Sequence, residues 1–93
     1  MPTVSDITVQ KPSNEQVKAS RDWPIWSCEV SEFDWEYTQT EKCLIIDGRV
    51  TITDDPDTGQ SVSFGPGDYV VLPKGLKCFW KVTAPVKKHY DFE

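Results

Sequence analysis

After residue 26 the chain reads as short runs of alternating apolar and polar residues broken by Gly, Pro and Asp; a helical signature occurs only near the start. Ile7-Thr8-Val9 is a short β-like segment. Ser13-Asn14-Glu15-Gln16 then fits a capping box that opens a helix over Glu15 to Ser20. Trp23-Pro24-Ile25-Trp26 ends it, because Pro24 disfavours a helical conformation at Trp23. The pattern predicts strands at 27–30, 34–38, 42–47, 49–53, 61–64, 69–72, 77–82 and 87–92, rich in β-branched and aromatic residues. They are separated at Asp47-Gly48, Asp54-Asp55-Pro56-Asp57-Thr58-Gly59, Gly65-Pro66-Gly67-Asp68 and Pro73-Lys74-Gly75. So many short strands with regular turns predict an all-β, antiparallel jelly-roll barrel with a short N-terminal helix. The 93 residues read as one domain, 1–22 forming the N-terminal strand and helix and 23–93 the barrel.

Charge narrows the functional classes. Fifteen acidic against ten basic residues give a net charge of −5, which argues against a nucleic-acid partner. No run approaches the roughly 20 apolar residues of a membrane helix, and no signal-peptide pattern opens the chain, so no membrane partner is expected and the expected location is cytoplasmic. Cys28, Cys43 and Cys78 have no paired spacing and predict reduced thiols rather than a disulfide framework or structural zinc site.

Two segments carry more specific information. Trp35-Glu36-Tyr37-Thr38-Gln39-Thr40-Glu41, followed seven residues later by Gly48, and Gly67-Asp68 through Pro73-Lys74-Gly75 to Cys78, resemble the paired motifs of the cupin superfamily. In that superfamily the first motif carries two His flanking one residue, then Glu and Gly; the second carries Gly, five residues, Pro-x-Gly and His. The matching positions here hold Trp35, Tyr37, Glu41 and Cys78. Trp23-Pro24-Ile25-Trp26, Phe33-Asp34-Trp35, Glu41-Lys42-Cys43, Asp47-Gly48-Arg49-Val50, Trp80 and Lys88-His89-Tyr90 extend the likeness to small single-domain cupins grouped with the ureidoglycine aminohydrolase cupin domain. The resemblance implies a cupin barrel, and cupins commonly form homodimers. The aminohydrolases themselves resemble a doubled version of the fold, with manganese in one half; this chain keeps one carboxylate and neither imidazole. Fold alone does not transfer the reaction.

The motif position turns Glu41 inward, and alternation then carries Cys43 and Ile45 with it; Cys78, Trp80 and Val82 share one face, and Trp35 is in phase with Tyr37. The candidate ligand-binding set is Trp35, Tyr37, Glu41, Cys43, Cys78 and Trp80. Glu41 and Cys78 are the catalytic candidates. Glu41 is either an acid, base or ligand anchor, or a structural acceptor from Tyr37, an indole or the backbone. Cys78 is a nucleophile, a soft metal ligand or a buried apolar residue, and a redox pairing with Cys43 stays open. Trp23, Trp26 and Trp35 read more often as core than as ligand-stacking platforms, and Lys87-Lys88 as a solvated face.

No cofactor is expected, since Glu41 and Cys78 supply two ligands where iron, manganese, zinc or nickel normally takes three or four; any divalent metal would need His89 as a third. A metal-independent module binding a small polar molecule is therefore favoured. A metal-dependent enzyme of reworked ligation, acting on a small nitrogenous or ureide-like substrate, is the alternative. A filled barrel serving oligomerisation or partner binding is the third reading.

Overall fold

The computed structural model describes residues 3–53 and 60–92. A single turn of 3-10 helix at Val4–Asp6 leads into β1 (Thr8–Gln10) and helix α1 (Asn14–Ser20). Ser13 caps α1 as expected: its hydroxyl accepts from the Gln16 amide at 3.1 Å, while the Gln16 side chain accepts from the Ser13 amide at 2.9 Å. The strands that follow are β2 (Ile25–Cys28), β3 (Ser31–Glu36), β4 (Glu41–Thr53), β5 (Ser61–Phe64), β6 (Tyr69–Leu72) and β7 (Lys77–Phe92).

All pairings are antiparallel, and β4 and β7 organise them. The first half of β4 pairs with β6 and its second half with β5; the first half of β7 pairs with β3 and its second half with β2. One layer therefore runs β1-β6-β4-β7-β2 and the other β5-β4-β7-β3, joined because the two long strands pass through both. This is the jelly roll, its exposed edges reduced by curling the sheet on itself. β1 pairs with β6 of its own barrel.

Two predicted breaks are bends instead. Asp47-Gly48 was expected to separate two strands, and residues 83–86 to separate another two, yet β4 and β7 run on through both. The register slips between Ile45 and Val50, and Gly48 sits at φ +92 against Pro85. A Cβ there would fall 2.2 Å from the Pro85 carbonyl oxygen, so only glycine permits this approach. Proline is tolerated opposite because the irregular register removes a regular ladder bond.

Pro66-Gly67 and Lys74-Gly75 make tight turns with Gly67 at φ +85 and Gly75 at φ +88. The Asp54-to-Gly59 turn expectation lies outside the described residues. The core gathers Val4, Ile45, Val50, Ile52, Phe64, Val70, Leu72, Leu76, Val82 and Val86 between the layers. Among the described residues no helix is long and apolar enough to cross a membrane.

Candidate functional site

Strand phase places most of the site. Along β4, Glu41, Cys43 and Ile45 are buried and face inward; their partners on β7 are Phe92, Tyr90 and Lys88. Opposite residues of an antiparallel pair share a face, so Lys88, Tyr90 and Phe92 point into the barrel while Lys87, His89 and Asp91 do not. β2 sets Trp26 beside Lys88, and β3 sets Phe33 beside Trp80 and Trp35 beside Cys78. The result is a cleft of about 240 Å³ lined by Trp26, Phe33, Trp35, Tyr37, Glu41, Trp80, Lys88, Tyr90 and Phe92. Trp35, half exposed at 51%, stands at its outer part.

The polar centre of this cleft is a buried ion pair. Lys88 Nζ donates to Glu41 Oε2 at 2.5 Å, and the two residues are only 4% and 5% exposed. The ammonium also lies 5.0 Å from the Trp26 ring centroid and 4.9 Å from that of Trp80, within cation–π range. Charged pairs this deep are costly to desolvate and persist only when well compensated. Here the compensation comes from one carboxylate and two indole faces.

Trp80 connects the rest. Its ring stacks on Phe33 at 5.8 Å and 13° and meets Trp26 edge-on at 6.0 Å, and its indole nitrogen donates to the Tyr37 hydroxyl at 3.1 Å. Burial, reinforced by the negative charge of Glu41, holds the Tyr37 hydroxyl far above the ordinary tyrosine range. Tyr37 is therefore a neutral wall of the cleft. Its backbone is fixed by the Pro-x-Gly turn: the Tyr37 amide donates to the Leu76 carbonyl at 2.9 Å, and the Gly75 amide donates to the Tyr37 carbonyl at 2.7 Å. That turn holds the cleft wall rather than lining the opening.

Of the expected site residues, Trp35, Tyr37, Glu41 and Trp80 come together in the cleft. Cys43 and Cys78 are buried outside its lining. Burial pushes the Cys43 thiol up to about 12; its hydrogen bond to Glu41 and that residue's charge add to the rise, and Lys88 opposes it. The Cys78 thiol donates to the Trp35 carbonyl oxygen at 3.6 Å. Among the described residues no disulfide joins the cysteines. His89 occupies the opposite face from Glu41, its Nδ1 lying 3.0 Å from the Trp23 carbonyl oxygen. It cannot join Glu41 from there.

Lys88 is the principal correction: expected on a solvated face with Lys87, it is buried, and Glu41 is consequently not a lone carboxylate. Trp26, Phe33, Tyr90 and Phe92 were also not counted as lining. The signal that would have found Lys88 is its place in the period-two series Val82, then Val86, Lys88, Tyr90 and Phe92, continued past the Ala84-Pro85 bend.

A cupin metal would have to be held by the residues at the motif positions, and they do not fit one. Trp35 and Tyr37 replace the paired imidazoles, the Glu41 carboxylate is engaged by an ammonium, and among the described residues no three His, Cys, Asp or Glu side chains converge. Lys88 supplies positive charge to Glu41 from within the chain.

A bent two-layer barrel built on two long shared strands, with its cleft between the layers, is a cupin. A family model described as the EutQ-like cupin domain matches residues 15–90, and the chain belongs to that family. It is similar at 43% identity to a DUF861 family protein from Thermotoga maritima, across 95% of this chain and 100% of that one, with a TM-score of 0.87. The EutQ protein of Clostridium difficile matches at 28% identity over 73% of this chain with a TM-score of 0.65, the match spanning only 52% of that longer protein. A cupin superfamily protein from Desulfitobacterium hafniense shares the fold at 16% identity and a TM-score of 0.57, over 97% of this chain and 79% of that one. No curated protein matches the chain.

Proposed function

We propose that the protein binds a compact, planar, neutral carbonyl compound, such as an amide or a ureide-like molecule, between the aromatic walls of the cleft and above the Lys88–Glu41 pair. The observation that carries this reading is a buried ion pair, of zero summed charge, set among seven aromatic side chains in one cleft. Lys88 has three N–H donors and gives one to Glu41, which leaves donors for a ligand carbonyl. A ligand carboxylate would gain from Lys88 but meet repulsion from Glu41 beside it, so a neutral acceptor suits the site better.

Size and shape agree with this. About 240 Å³ lies below the roughly 300–1,000 Å³ of drug-sized sites, which selects a single ring or smaller. Waters occupy roughly 30 Å³ each in the liquid, so the cleft has room for several, and this favours binding over a barrel filled by its own side chains. The resemblance of the chain's motifs to ureidoglycine aminohydrolase cupin domains suggests the same chemical class without supplying their metal ligands.

The test is titration with benzamide, phenylurea and cyclohexanecarboxamide, followed by tryptophan fluorescence and amide chemical shifts. The planar probes should perturb Trp26, Trp35 and Trp80 and outcompete the saturated one. Trp35→Ala should weaken them about three- to tenfold, the value of one aromatic contact at about 0.5–1.5 kcal/mol. Equal affinity for the saturated amide, or shifts confined to the outer surface, would remove the proposal.

A further inference from the structure

We propose that Lys88 is a carbonyl-capturing amine that forms a reversible iminium with small aldehydes or ketones entering the cleft, with Glu41 moving the protons. This rests on the reading of the cleft as a carbonyl site and extends it from binding to covalent chemistry. Three observations support it. Lys88 is almost wholly buried yet lines the cleft, so its nitrogen meets what enters there rather than bulk solvent. Glu41 contacts that nitrogen directly at 2.5 Å, the distance at which a carboxylate can take and return a proton without an intervening water. The indole rings of Trp26 and Trp80 lie 5.0 and 4.9 Å from the same nitrogen and stabilise positive charge at that point.

The step is balanced without any further reactant. The Lys88 ammonium passes a proton to Glu41, and the freed lone pair forms a C–N bond as the carbonyl π electrons move to oxygen. Proton transfer from nitrogen to that oxygen gives the carbinolamine. Glu41 then protonates the hydroxyl, which leaves as water while the nitrogen lone pair closes the C=N bond. Ammonium and carbonyl become iminium and water, and Glu41 ends as the carboxylate it was. The positive charge begins and ends on the same nitrogen, so the carboxylate and both ring contacts that hold the ammonium also hold the iminium product. No other described lysine has that setting: Lys11, Lys18, Lys74, Lys77, Lys81 and Lys87 are exposed, and the partly buried Lys42 does not line the cleft.

The experiment is incubation of the wild-type protein with benzaldehyde and sodium borohydride at neutral pH, which reduces any iminium to a stable benzylamine, followed by fragment mass spectrometry to locate the label. Lys88 should carry it about tenfold more than any other lysine, because a positioned carbonyl reacts at raised effective concentration. Glu41→Gln should slow labelling at Lys88 roughly 100-fold while surface labelling continues, the loss typical of a positioned acid and base. Benzamide, which binds without forming an iminium, should compete with the Lys88 label alone. Label spread evenly over the exposed lysines, or absent from Lys88, overturns the inference even where benzamide still binds. If benzamide fails to bind as well, the reading of the cleft itself falls. The wild-type mapping decides the matter without relying on any variant's folding.

Discussion

Replacing Lys88 with Met should be among the most damaging single changes in the barrel, because it leaves the 5% exposed Glu41 carboxylate without its cation. Breaking a buried pair from one side costs about 3–5 kcal/mol, most of it the uncompensated charge left behind. Domains of this kind have about 5–15 kcal/mol of stability in all, so one substitution removes a large share. In melting temperature the loss is roughly 12 °C or more, at about 4–8 °C per kcal/mol for a domain under 100 residues. Removing both charges together, with Glu41→Leu added to Lys88→Met, should recover most of this, since a hydrophobic replacement of a buried pair is neutral or favourable by about 1–4 kcal/mol. The assay is a double-mutant cycle by urea unfolding at pH 7, read by tryptophan fluorescence. A single-variant cost below about 1 kcal/mol, as for a solvated surface pair, or a double variant less stable than either single one, would show that no uncompensated buried charge is left behind.

Gly48→Ala should destabilise by roughly 2–5 kcal/mol, combining the cost of a left-handed alanine with displacement of the Pro85 backbone, and thermal unfolding will show it. Tyr37→Phe leaves the buried Trp80 indole N–H without its acceptor and should cost about 1–3 kcal/mol in urea. The raised Cys43 and Tyr37 ionisations make the folded state hold its protons longer than the unfolded one; their stabilisation is complete below the ordinary thiol range. It falls above pH 9 by about 1.4 kcal/mol per unit for each group titrating in the unfolded chain, and for Cys43 continues to about 12. Cys43→Ala should flatten that alkaline decline, and an unchanged slope in urea midpoints from pH 8 to 11 would exclude Cys43 as a cause. Elemental mass spectrometry after incubation with manganese, iron, zinc and nickel should find no stoichiometric metal; a bound metal lost on Glu41→Gln would restore the metalloenzyme reading.

The sequence exposed much of this architecture because alternation and turn chemistry are local. Ser13 and Gln16 marked the helix, Pro73-Lys74-Gly75 marked a turn, and the phase of Glu41, Cys43 and Ile45 was readable from the motif position. Strand continuity was not, because a glycine that breaks one strand from the next resembles one that permits two backbones to touch, and only the Pro85 contact distinguishes them. The site was harder still. A lysine next to another lysine reads as surface, and what buries Lys88 is a carboxylate 47 residues earlier and two indoles on separate strands. Such compensation is a property of the closed barrel and leaves no mark within a sequence window. Cys43 and Cys78 illustrate the converse: their phase was inward and both are buried, yet neither lines the cleft, a distinction that alternation does not encode.

A crystal structure of the wild-type protein with benzamide tests whether the aromatic cleft holds a neutral carbonyl over the Lys88–Glu41 pair. The ring should lie between the tryptophan walls with the carbonyl oxygen within hydrogen-bond distance, about 2.7–3.2 Å, of Lys88 Nζ. A cleft without ligand at saturating benzamide, or a ligand whose carbonyl turns away from Lys88, would contradict it.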